Sequence, residues 1–354
     1  MEPVVEVCGL SCILGDFQLD SVDLQIFKNE YLVILGPTGS GKTVFLESLL
    51  GLQKISAGTV FLDGIDITYH LPEERNVGYI PQDYALFPNM TVADNIAYGP
   101  SVRKMDLVET REKVSSLMDM LHISHLSTRY PDTLSGGEKQ RVAVGRALAV
   151  EPKVLLLDEP LAALDETRRL ELTSEFKRIQ RQSGATFVHV CHNLDEAFEV
   201  ADRIAILASG KIIQAGSIND ILDFPHSEFI ARFTGAKNIF SLPHAQACGL
   251  TVPKAESSKL DSKEAFVVVR PESISVVDCK LTGSSGNGNG NILTGKVQRI
   301  VRKVSISEVY VKVRGGDIST VWVLLLSIDS LIKTAVDEEL SFFVPSAKVK
   351  IISS

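Results

Sequence analysis

The sequence predicts a two-domain protein, with an α/β domain over residues 1–235 and a small all-β, barrel-like domain over residues 236–354. Before residue 235, short apolar runs alternate with amphipathic helical patterns, which is typical of a parallel sheet flanked by helices. After it, β-rich segments follow one another without a helical period. The length of 354 residues also exceeds what a single core usually supports. The chain is therefore expected to divide near Gly235.

The apolar runs of the first domain are the candidate strands. They are apolar on both faces, as expected for strands covered on both sides of a parallel sheet. Examples are residues 31–35, 59–62, 154–157, 186–190 and 203–207. Between them, residues 108–122 place Val114, Leu117, Met118 and Leu121 on one helical face, and residues 166–182 predict a second helix.

The second domain is predicted from short strand-sized segments separated by turn signals. The predicted strands are residues 266–269, 273–277, 292–304, 308–313, 319–324 and 340–344. Turns are expected at Gly315–Gly316 and over residues 282–291, a Gly, Ser and Asn stretch.

Composition narrows the class of protein. A hydrophobic content of 45% with 23% charged residues describes a globular protein, and the net charge of −8 argues against a general nucleic-acid-binding surface. We find neither a membrane-spanning apolar run nor a secretory signal, and the five scattered cysteines suit reduced thiols. The sequence therefore predicts a cytoplasmic protein that does not bind nucleic acid.

The strongest local signal is a glycine-rich loop between a predicted strand and a predicted helix. It fits the pattern G-x-x-x-x-G-K-[ST] at every fixed position. The loop reads Gly36-Pro37-Thr38-Gly39-Ser40-Gly41-Lys42-Thr43. Its backbone N–H groups and the helix dipole favour a phosphate group, Lys42 can reach the β- and γ-phosphates, and the Thr43 hydroxyl can ligate Mg²⁺.

Two later motifs supply further candidate groups for binding and hydrolysing a phosphate compound. Ser135, Gly136 and Gly137 precede a predicted helix, which makes a second anion-binding helix start. The apolar run at residues 154–157 ends in Asp158 and Glu159, at the sheet edge where the phosphate loop also lies. Asp158 can hold Mg²⁺ through water, and Glu159 can polarise an attacking water.

Together these motifs resemble the ATPase subunit of ATP-binding-cassette (ABC) transporters, a P-loop nucleotide-binding domain with a helical subdomain. Residues 134–141, L-S-G-G-E-K-Q-R, resemble the family's signature, and residues 155–165 resemble its Walker B segment running into the D-loop. Residues 79–88 resemble the Q-loop, and residues 189–193 resemble the switch-histidine segment. The resemblance covers about residues 3–235 and implies an enzyme that hydrolyses ATP with Mg²⁺.

The resemblance also implies that two copies pair head to tail. Each ATP then lies between the phosphate loop of one copy and the signature of the other, where Ser135, Gly136, Gly137 and Glu138 are the candidate contacts. Asp165 is the implied D-loop residue at the dimer interface. One chain alone is expected to leave the site incomplete.

Within that site, the resemblance implies a distinct part for each polar residue. Glu159 is the implied general base and His192 the contact to the γ-phosphate. Gln82 is implied to contact Mg²⁺ and the lytic water, which makes Thr43, Gln82 and Asp158 the candidate metal ligands.

The sequence departs from the family pattern in three places, of which Pro37-Thr38 in the phosphate loop is close to the usual P-S and is expected to be neutral. Leu14 aligns where an aromatic residue usually stacks on adenine, so that Phe17 is the alternative adenine contact. The switch segment reads C-H-N where T-H-D is more usual, and Cys191 and Asn193 therefore predict looser support for His192. His189 and His192 are poorly spaced to share a metal ion, and we predict no metal site from that pair.

The C-terminal segment resembles the β-barrel of importer ATPases. The R-P-E segment at residues 270–272 opens it, and residues 233–240 resemble the junction in molybdate, tungstate, sulfate and iron importers. Pro345 stands where molybdate-binding barrels usually have lysine. Candidate oxyanion ligands on this domain are Ser346, Lys348 and Lys303, and the alternative is a barrel that only dimerises.

The predicted function is ATP hydrolysis coupled to uptake of a small solute, with molybdate or tungstate first and sulfate, ferric iron, sugar or polyamine as alternatives. The expected partners are a second copy, integral membrane permease subunits and, indirectly, an extracytoplasmic substrate-binding protein. The expected location is the cytoplasmic face of the membrane. A soluble cassette ATPase is the alternative of another class, although the span from Gln82 to Leu134 is too short for a chromosome-handling coiled coil.

Overall fold

The computed structural model describes residues 2–162, 166–252, 265–277, 290–327 and 334–353. Contacts within the chain divide it into two compact units, residues 1–218 and residues 219–354. The sequence-based boundary at Gly235 lies farther along the chain than this division. None of the helices in the described ranges is long and apolar enough to span a bilayer.

The first unit is an α/β structure, and the ten strands among its described residues form two sheets. The strands are β1 (Pro3–Leu14), β2 (Phe17–Phe27), β3 (Tyr31–Leu35), β4 (Ile55–Leu62), β5 (Ile65–Asp66), β6 (Val77–Ile80), β7 (Val154–Asp158), β8 (Thr186–Cys191), β9 (Arg203–Ala208) and β10 (Lys211–Gly216). The helices are α1 (Lys42–Leu50), α2 (Val92–Val102), α3 (Leu107–Met120), α4 (Gly136–Leu148), α5 (Glu166–Ser183) and α6 (Leu194–Val200).

The larger sheet of this unit contains the strands that lead into the phosphate loop and into Asp158 and Glu159. Its order is β10-β9-β3-β8-β7-β6, with parallel pairing from β9 across to β6 and an antiparallel edge at β10. Every residue of β3, β7 and β8 is buried, as expected for strands covered on both faces. The predicted parallel sheet is therefore confirmed.

The smaller sheet corrects one strand assignment. Residues 59–62 lie in β4, which pairs antiparallel with β1 in a sheet of order β2-β1-β4-β5. The burial of β4 is interrupted by exposed and half-buried positions. A run of four residues was too short to reveal this pattern, and the assignment of residues 59–62 to the parallel sheet was wrong.

The second unit is a small β domain, and the α-helices described within it or at its start are α7 (Ile218–Asp223), α8 (Glu228–Phe233) and α9 (Leu242–Ala247). Its strands form a three-stranded sheet, β11-β12-β18, and a five-stranded sheet, β13-β17-β14-β15-β16. They are β11 (Asn238–Ser241), β12 (Ala265–Val269), β13 (Ser275–Val277), β14 (Gly290–Arg302), β15 (Ile306–Gly315), β16 (Ile318–Ser327), β17 (Glu339–Pro345) and β18 (Lys350–Ser353). The predicted β-rich C-terminus is confirmed, whereas most of the predicted turn over residues 282–291 lies outside the described ranges.

The core of the second unit is built around Trp322, which is fully buried on β16. Its ring lies 4.7 Å from that of Phe240 and 5.5 Å from that of Phe342, measured between centroids. The indole nitrogen donates to Thr320 Oγ1 at 2.9 Å, so the polar edge of the ring is satisfied inside the core.

Candidate functional site

Four strand ends bring the sequence motifs to one edge of the parallel sheet. Strand β3 leads into the phosphate loop, and its neighbour β8 leads into His192. Strand β7 ends in Asp158 beside β8, and β6 ends beside β7 and leads to Gln82. Parallel strands deliver their carboxyl ends to a common crevice, which is where ligands bind in open α/β sheets.

The loop itself needs glycine at two positions for different reasons. Gly36 is packed so closely that a Cβ would lie 2.0 Å from the carbonyl oxygen of Leu207. Gly41 has φ of +100°, and a Cβ there would lie 2.2 Å from Cζ of Phe17. A larger residue at either position would push the loop away from the geometry that presents its N–H groups.

Lys42 lies inside the loop rather than on its surface. The side chain is 5% exposed, and its Nζ donates to the carbonyl oxygens of Gly36 at 3.0 Å and Pro37 at 3.1 Å. Glu159 Oε1 lies 3.9 Å from the same nitrogen. The ammonium is thus fixed between the loop and the carboxylate that follows β7.

Asp158 and Thr43 meet across the crevice. The Thr43 hydroxyl donates to Asp158 Oδ1 at 3.1 Å, and the Tyr79 hydroxyl donates to Asp158 Oδ2 at 3.4 Å. Burial raises the pKa of the Asp158 carboxyl above its usual range, and the hydrogen bond from Thr43 opposes that shift. The sequence analysis did not identify Tyr79 as a partner of Asp158. The pairing of β6 with β7 places Tyr79 opposite Leu156, near the end of the strand that carries Asp158.

These residues fit Mg²⁺ and a phosphate group. A hydroxyl and a carboxylate are the hard oxygen donors that Mg²⁺ prefers. Within the loop, the Ser40 hydroxyl is buried and has no hydrogen-bond partner, so it is an orphaned polar group that a phosphate in the loop would satisfy.

Glu159 adopts a strained backbone conformation next to His192. Its φ is +43°, in the left-handed region, and its N–H donates to the Val190 carbonyl at 3.0 Å. Glu159 Oε2 lies 3.3 Å from His192 Nδ1. The carboxylate therefore faces both Lys42 and His192, while remaining about one quarter exposed at 26%.

Gln82 is exposed just after β6, within a segment tied to two other parts of the unit. The Tyr84 hydroxyl donates to the Pro160 carbonyl at 3.0 Å. Arg146 on α4 donates to the Tyr84 carbonyl at 2.9 Å, and its guanidinium lies 5.2 Å from the Phe87 ring centroid. Arg146, which the sequence analysis did not single out, thus connects the segment after Gln82 to the helix that the signature begins.

The signature forms a capping box at the start of α4. Ser135 is the N-cap; its N–H and its hydroxyl donate to Glu138 Oε2 at 2.7 and 2.8 Å. These two bonds lower the pKa of Glu138. Ser135 and Gly136 are exposed, and the hydrogen bonds of Ser135 are made to Glu138 rather than to the phosphate loop.

The unusual switch segment has its own local support. Asn193 is the N-cap of α6 and accepts from the N–H of Glu196 at 3.0 Å, and the buried Cys191 donates to the Asn193 carbonyl at 3.5 Å. His192 itself is exposed.

The two candidate adenine contacts differ in environment. Leu14 is 45% exposed at the end of β1, whereas Phe17 is half-buried and packs against the core and against Gly41. Asp165, the implied interface residue, lies outside the described residues.

A buried lysine in a glycine-rich loop, with two carboxylates and a histidine at the same sheet edge, defines a phosphate-loop ATPase of the cassette class. A family model described as ABC transporter matches residues 19–162. The chain is 43% identical over 290 residues to the molybdate/tungstate import ATP-binding protein of Thermococcus kodakarensis, spanning 80% of this chain and 86% of that protein. It is 42% identical over 284 residues to a sulfate/thiosulfate import ATP-binding protein of Agrobacterium fabrum, spanning 78% and 82% respectively.

Among solved structures, a component of an ABC transporter complex from Clostridium perfringens is similar with a TM-score of 0.58 and 28% identity, covering 62% of this chain and 91% of that one. The chain belongs to the family of ATP-binding subunits of ABC importers. It is therefore an ATP-binding, ATP-hydrolysing enzyme.

Proposed function

We propose that this importer ATPase drives the uptake of an oxyanion, with molybdate or tungstate as the substrate. The observation that carries the proposal is the 43% identity, over 86% of its length, to a relative named for molybdate/tungstate import. The 42% identity to a relative named for sulfate/thiosulfate import makes sulfate the second candidate. Molybdate, tungstate and sulfate are all tetrahedral dianions, so the transported solute belongs first to this chemical class.

Within the site, Glu159 is the proposed general base. Its carboxylate is held between Lys42 Nζ at 3.9 Å and His192 Nδ1 at 3.3 Å, which fixes its direction toward the loop. Glu159 would accept a proton from the attacking water, while Lys42 and His192 would balance negative charge on the γ-phosphate. The loop N–H groups and the Ser40 hydroxyl would hold the phosphates in line with that water.

Thr43, Asp158 and Gln82 are the proposed Mg²⁺ ligands. When bound there, the ion neutralises charge on the β- and γ-phosphate oxygens. The contact between Thr43 and Asp158 holds two oxygen donors together on adjacent elements, and Tyr79 fixes the second oxygen of Asp158.

A head-to-tail homodimer is proposed to complete each ATP site. Ser135 and Gly136 are exposed at the N-terminus of α4, where N–H groups and a hydroxyl suit a phosphate from outside the chain. The proposal places Gly137 and Glu138 beside that phosphate and Asp165 at the interface. The adenine ring would lie near Leu14 and Phe17.

The proposed membrane partners are integral permease subunits, and an extracytoplasmic binding protein would deliver the solute to them. The similarity to import ATP-binding proteins supports such subunits. The ATPase would act at the cytoplasmic face, where ATP is available.

For the C-terminal unit we propose regulation, either through a bound oxyanion or through dimerisation. Its candidate ligand Lys303 is paired with the buried carboxylate of Glu308, which Lys237 also contacts at 2.6 Å. Lys348 lies 3.7 Å from Asp223. Because Lys303 is already paired with a buried carboxylate, whereas Lys348 has only the longer 3.7 Å contact to the partly exposed Asp223, we propose Ser346 and Lys348 before Lys303 as oxyanion contacts.

The test is solute uptake by the transporter reconstituted in vesicles with its permease and binding protein. Molybdate or tungstate should be taken up with ATP inside the vesicles, and sulfate, ferric ion, a sugar and a polyamine serve as competitors. Uptake of sulfate without molybdate or tungstate would move the assignment to the second candidate. Transport of a cation or a sugar alone would overturn the oxyanion class.

A further inference from the structure

A second cluster of metal-ligating side chains lies beneath the switch segment. It consists of His189 and Cys191 on β8 and Glu196 in the first turn of α6, all of them buried. His189 and Cys191 are two residues apart on one strand, so their side chains share a face of the sheet. One ligand atom from each of the three residues lies within 4.8 Å of the other two.

The polar atoms of this cluster are not satisfied by one another. His189 Nε2 and Glu196 Oε1 are 3.0 Å apart, yet each lacks a hydrogen bond of acceptable angle, and both atoms are inaccessible to solvent. His189 is fully buried and Glu196 is 6% exposed. Two orphaned polar atoms facing the same space are costly unless a third group binds both.

We propose that His189, Cys191 and Glu196 form a buried binding site for one divalent transition-metal ion of the Zn²⁺ type. Imidazole nitrogen, thiolate and carboxylate are the donors that Zn²⁺ combines in proteins. A tetrahedral ion would hold these atoms about 3.4–3.6 Å apart, so side-chain shifts of about 1 Å close the site.

The charges of the bound state balance. On binding, the thiol of Cys191 loses its proton to the buffer, and the thiolate and the Glu196 carboxylate together cancel the two positive charges of the ion. A neutral assembly suits this interior better than an isolated carboxylate opposite a histidine. The hydrogen bond from Cys191 to the Asn193 carbonyl is given up in the same step.

Tyr31 supplies the outer contact that such a site needs. Its hydroxyl lies 3.0 Å from His189 Nδ1, on the opposite side of the imidazole from Glu196. A hydrogen bond there leaves Nε2 as the ligand atom and fixes the ring. Tyr31 thus acts as a positioning residue for His189.

The test uses the full chain, reduced and stripped of metal, titrated with Co²⁺ in the absence of nucleotide. Binding at this site should produce a thiolate-to-cobalt charge-transfer band that saturates at one ion per chain and is abolished by added Zn²⁺. Cobalt at the oxygen ligands Thr43 and Asp158 gives no such band. A titration without a thiolate band would overturn the proposal.

Variants assign the band to its residues. Cys191→Ser should abolish it, whereas Cys248→Ser is the matched control, because Cys248 is equally buried and also donates to a carbonyl, that of Val313 at 3.7 Å. Tyr31→Phe, which keeps the ring volume, should weaken cobalt binding about 10- to 100-fold. A band that survives Cys191→Ser, or that Cys248→Ser removes, would contradict the assignment.

If Cys191→Ser does not fold, the cobalt titration is made on Glu196→Gln and Tyr31→Phe instead. Glu196→Gln keeps the shape of the side chain and removes its charge, so cobalt should bind more weakly than to the unmodified chain. Unchanged cobalt affinity in both of these variants would overturn the proposed ligand set.

Discussion

Asp158 is a carboxylate whose environment disfavours its charge. It is 6% exposed, and burial raises its pKa above the ordinary value. The folded state therefore binds a proton more tightly than the unfolded state, and stability falls as the pH rises through the window between the unfolded and the folded pKa. At neutral pH the ionised Asp158 should lower the stability of the nucleotide-free protein.

The variant Asp158→Asn should consequently raise the melting temperature at pH 7 while abolishing ATP hydrolysis. An amide keeps the acceptor for Thr43 and carries no charge, so the gain should shrink as the pH falls toward the ordinary aspartate pKa of about 3.9. Melting curves between pH 4 and pH 8 measure this, with the exposed Asp317→Asn as the control. A lower melting temperature for Asp158→Asn at pH 7 would contradict the argument.

Glu159 carries the hydrolytic step in the proposed mechanism. The variant Glu159→Gln keeps the side-chain shape and the backbone bond to Val190, and removes the proton acceptor. Steady-state ATP hydrolysis should fall by about 10²- to 10⁴-fold, whereas ATP binding should remain. Turnover and nucleotide binding measured on the same preparation separate the two effects, and Glu171→Gln on the exposed face of α5 is the control. Normal turnover in Glu159→Gln would exclude this residue as the base.

Among the elements, those with long buried runs could be predicted from the sequence. Strand β3 has the predicted bounds, and β7, β8 and β9 each extend one residue past the predicted run. Residues 59–62 were placed in the wrong sheet, because a short apolar run does not distinguish a half-buried antiparallel strand from a buried parallel one.

The residues of the candidate site that belong to sequence motifs could be predicted from the sequence. Lys42 belongs to the phosphate-loop motif, and Asp158 and Glu159 follow a buried apolar run, so each could be recognised from the sequence. The structure brings all three to one sheet edge. Tyr79 and Arg146 could not be predicted, because their contacts join positions far apart in sequence. The pairing of His189 with Glu196 depends likewise on how α6 begins after β8.

Helix α4 should act on an ATP bound by another chain. Since the N-terminus of α4 is exposed, Ser135→Arg should block hydrolysis through bulk and charge at that surface while leaving the phosphate loop of its own chain intact. Lys42→Ala should block hydrolysis from the other side of the site. Each variant alone is therefore expected to be inactive.

A mixture of these two variants tests the shared site directly. In a mixed dimer, the intact loop of one chain meets the intact signature of the other, so activity should return to at most roughly a quarter of the unmodified level. ATP turnover of the mixture, compared with each variant alone, is the measurement. No recovery despite mixed dimers seen in pull-down assays, or full activity of Ser135→Arg alone, would reject the head-to-tail arrangement.

At the scale of the whole chain, residues 219–235 belong structurally with the β domain that follows them. Arg270 donates to the carbonyls of Leu222 at 2.9 Å and Thr234 at 2.8 Å, and also to the Thr234 hydroxyl. Ala231 on α8 packs in one cluster with residues of β11, β12 and β18. The R-P-E segment thus has a structural use, because its arginine holds the segment that carries α7 and α8.

A fragment that ends at residue 235 should therefore leave α8 without its packing partners. In the full chain the amides of α8 should be protected from hydrogen exchange, whereas in the fragment 1–235 they should exchange at once, because six residues do not form a stable helix alone. The fragments 1–218 and 1–235 should melt at the same temperature, since residues 219–235 group with the second unit. Arg270→Ala in the full chain should raise exchange over residues 222–234 selectively, with Lys296→Ala on β14, whose ion pair is with Asp337, as the control. Protection of α8 in the fragment 1–235 would show instead that these residues fold with the ATPase unit, and would support a functional boundary at Gly235.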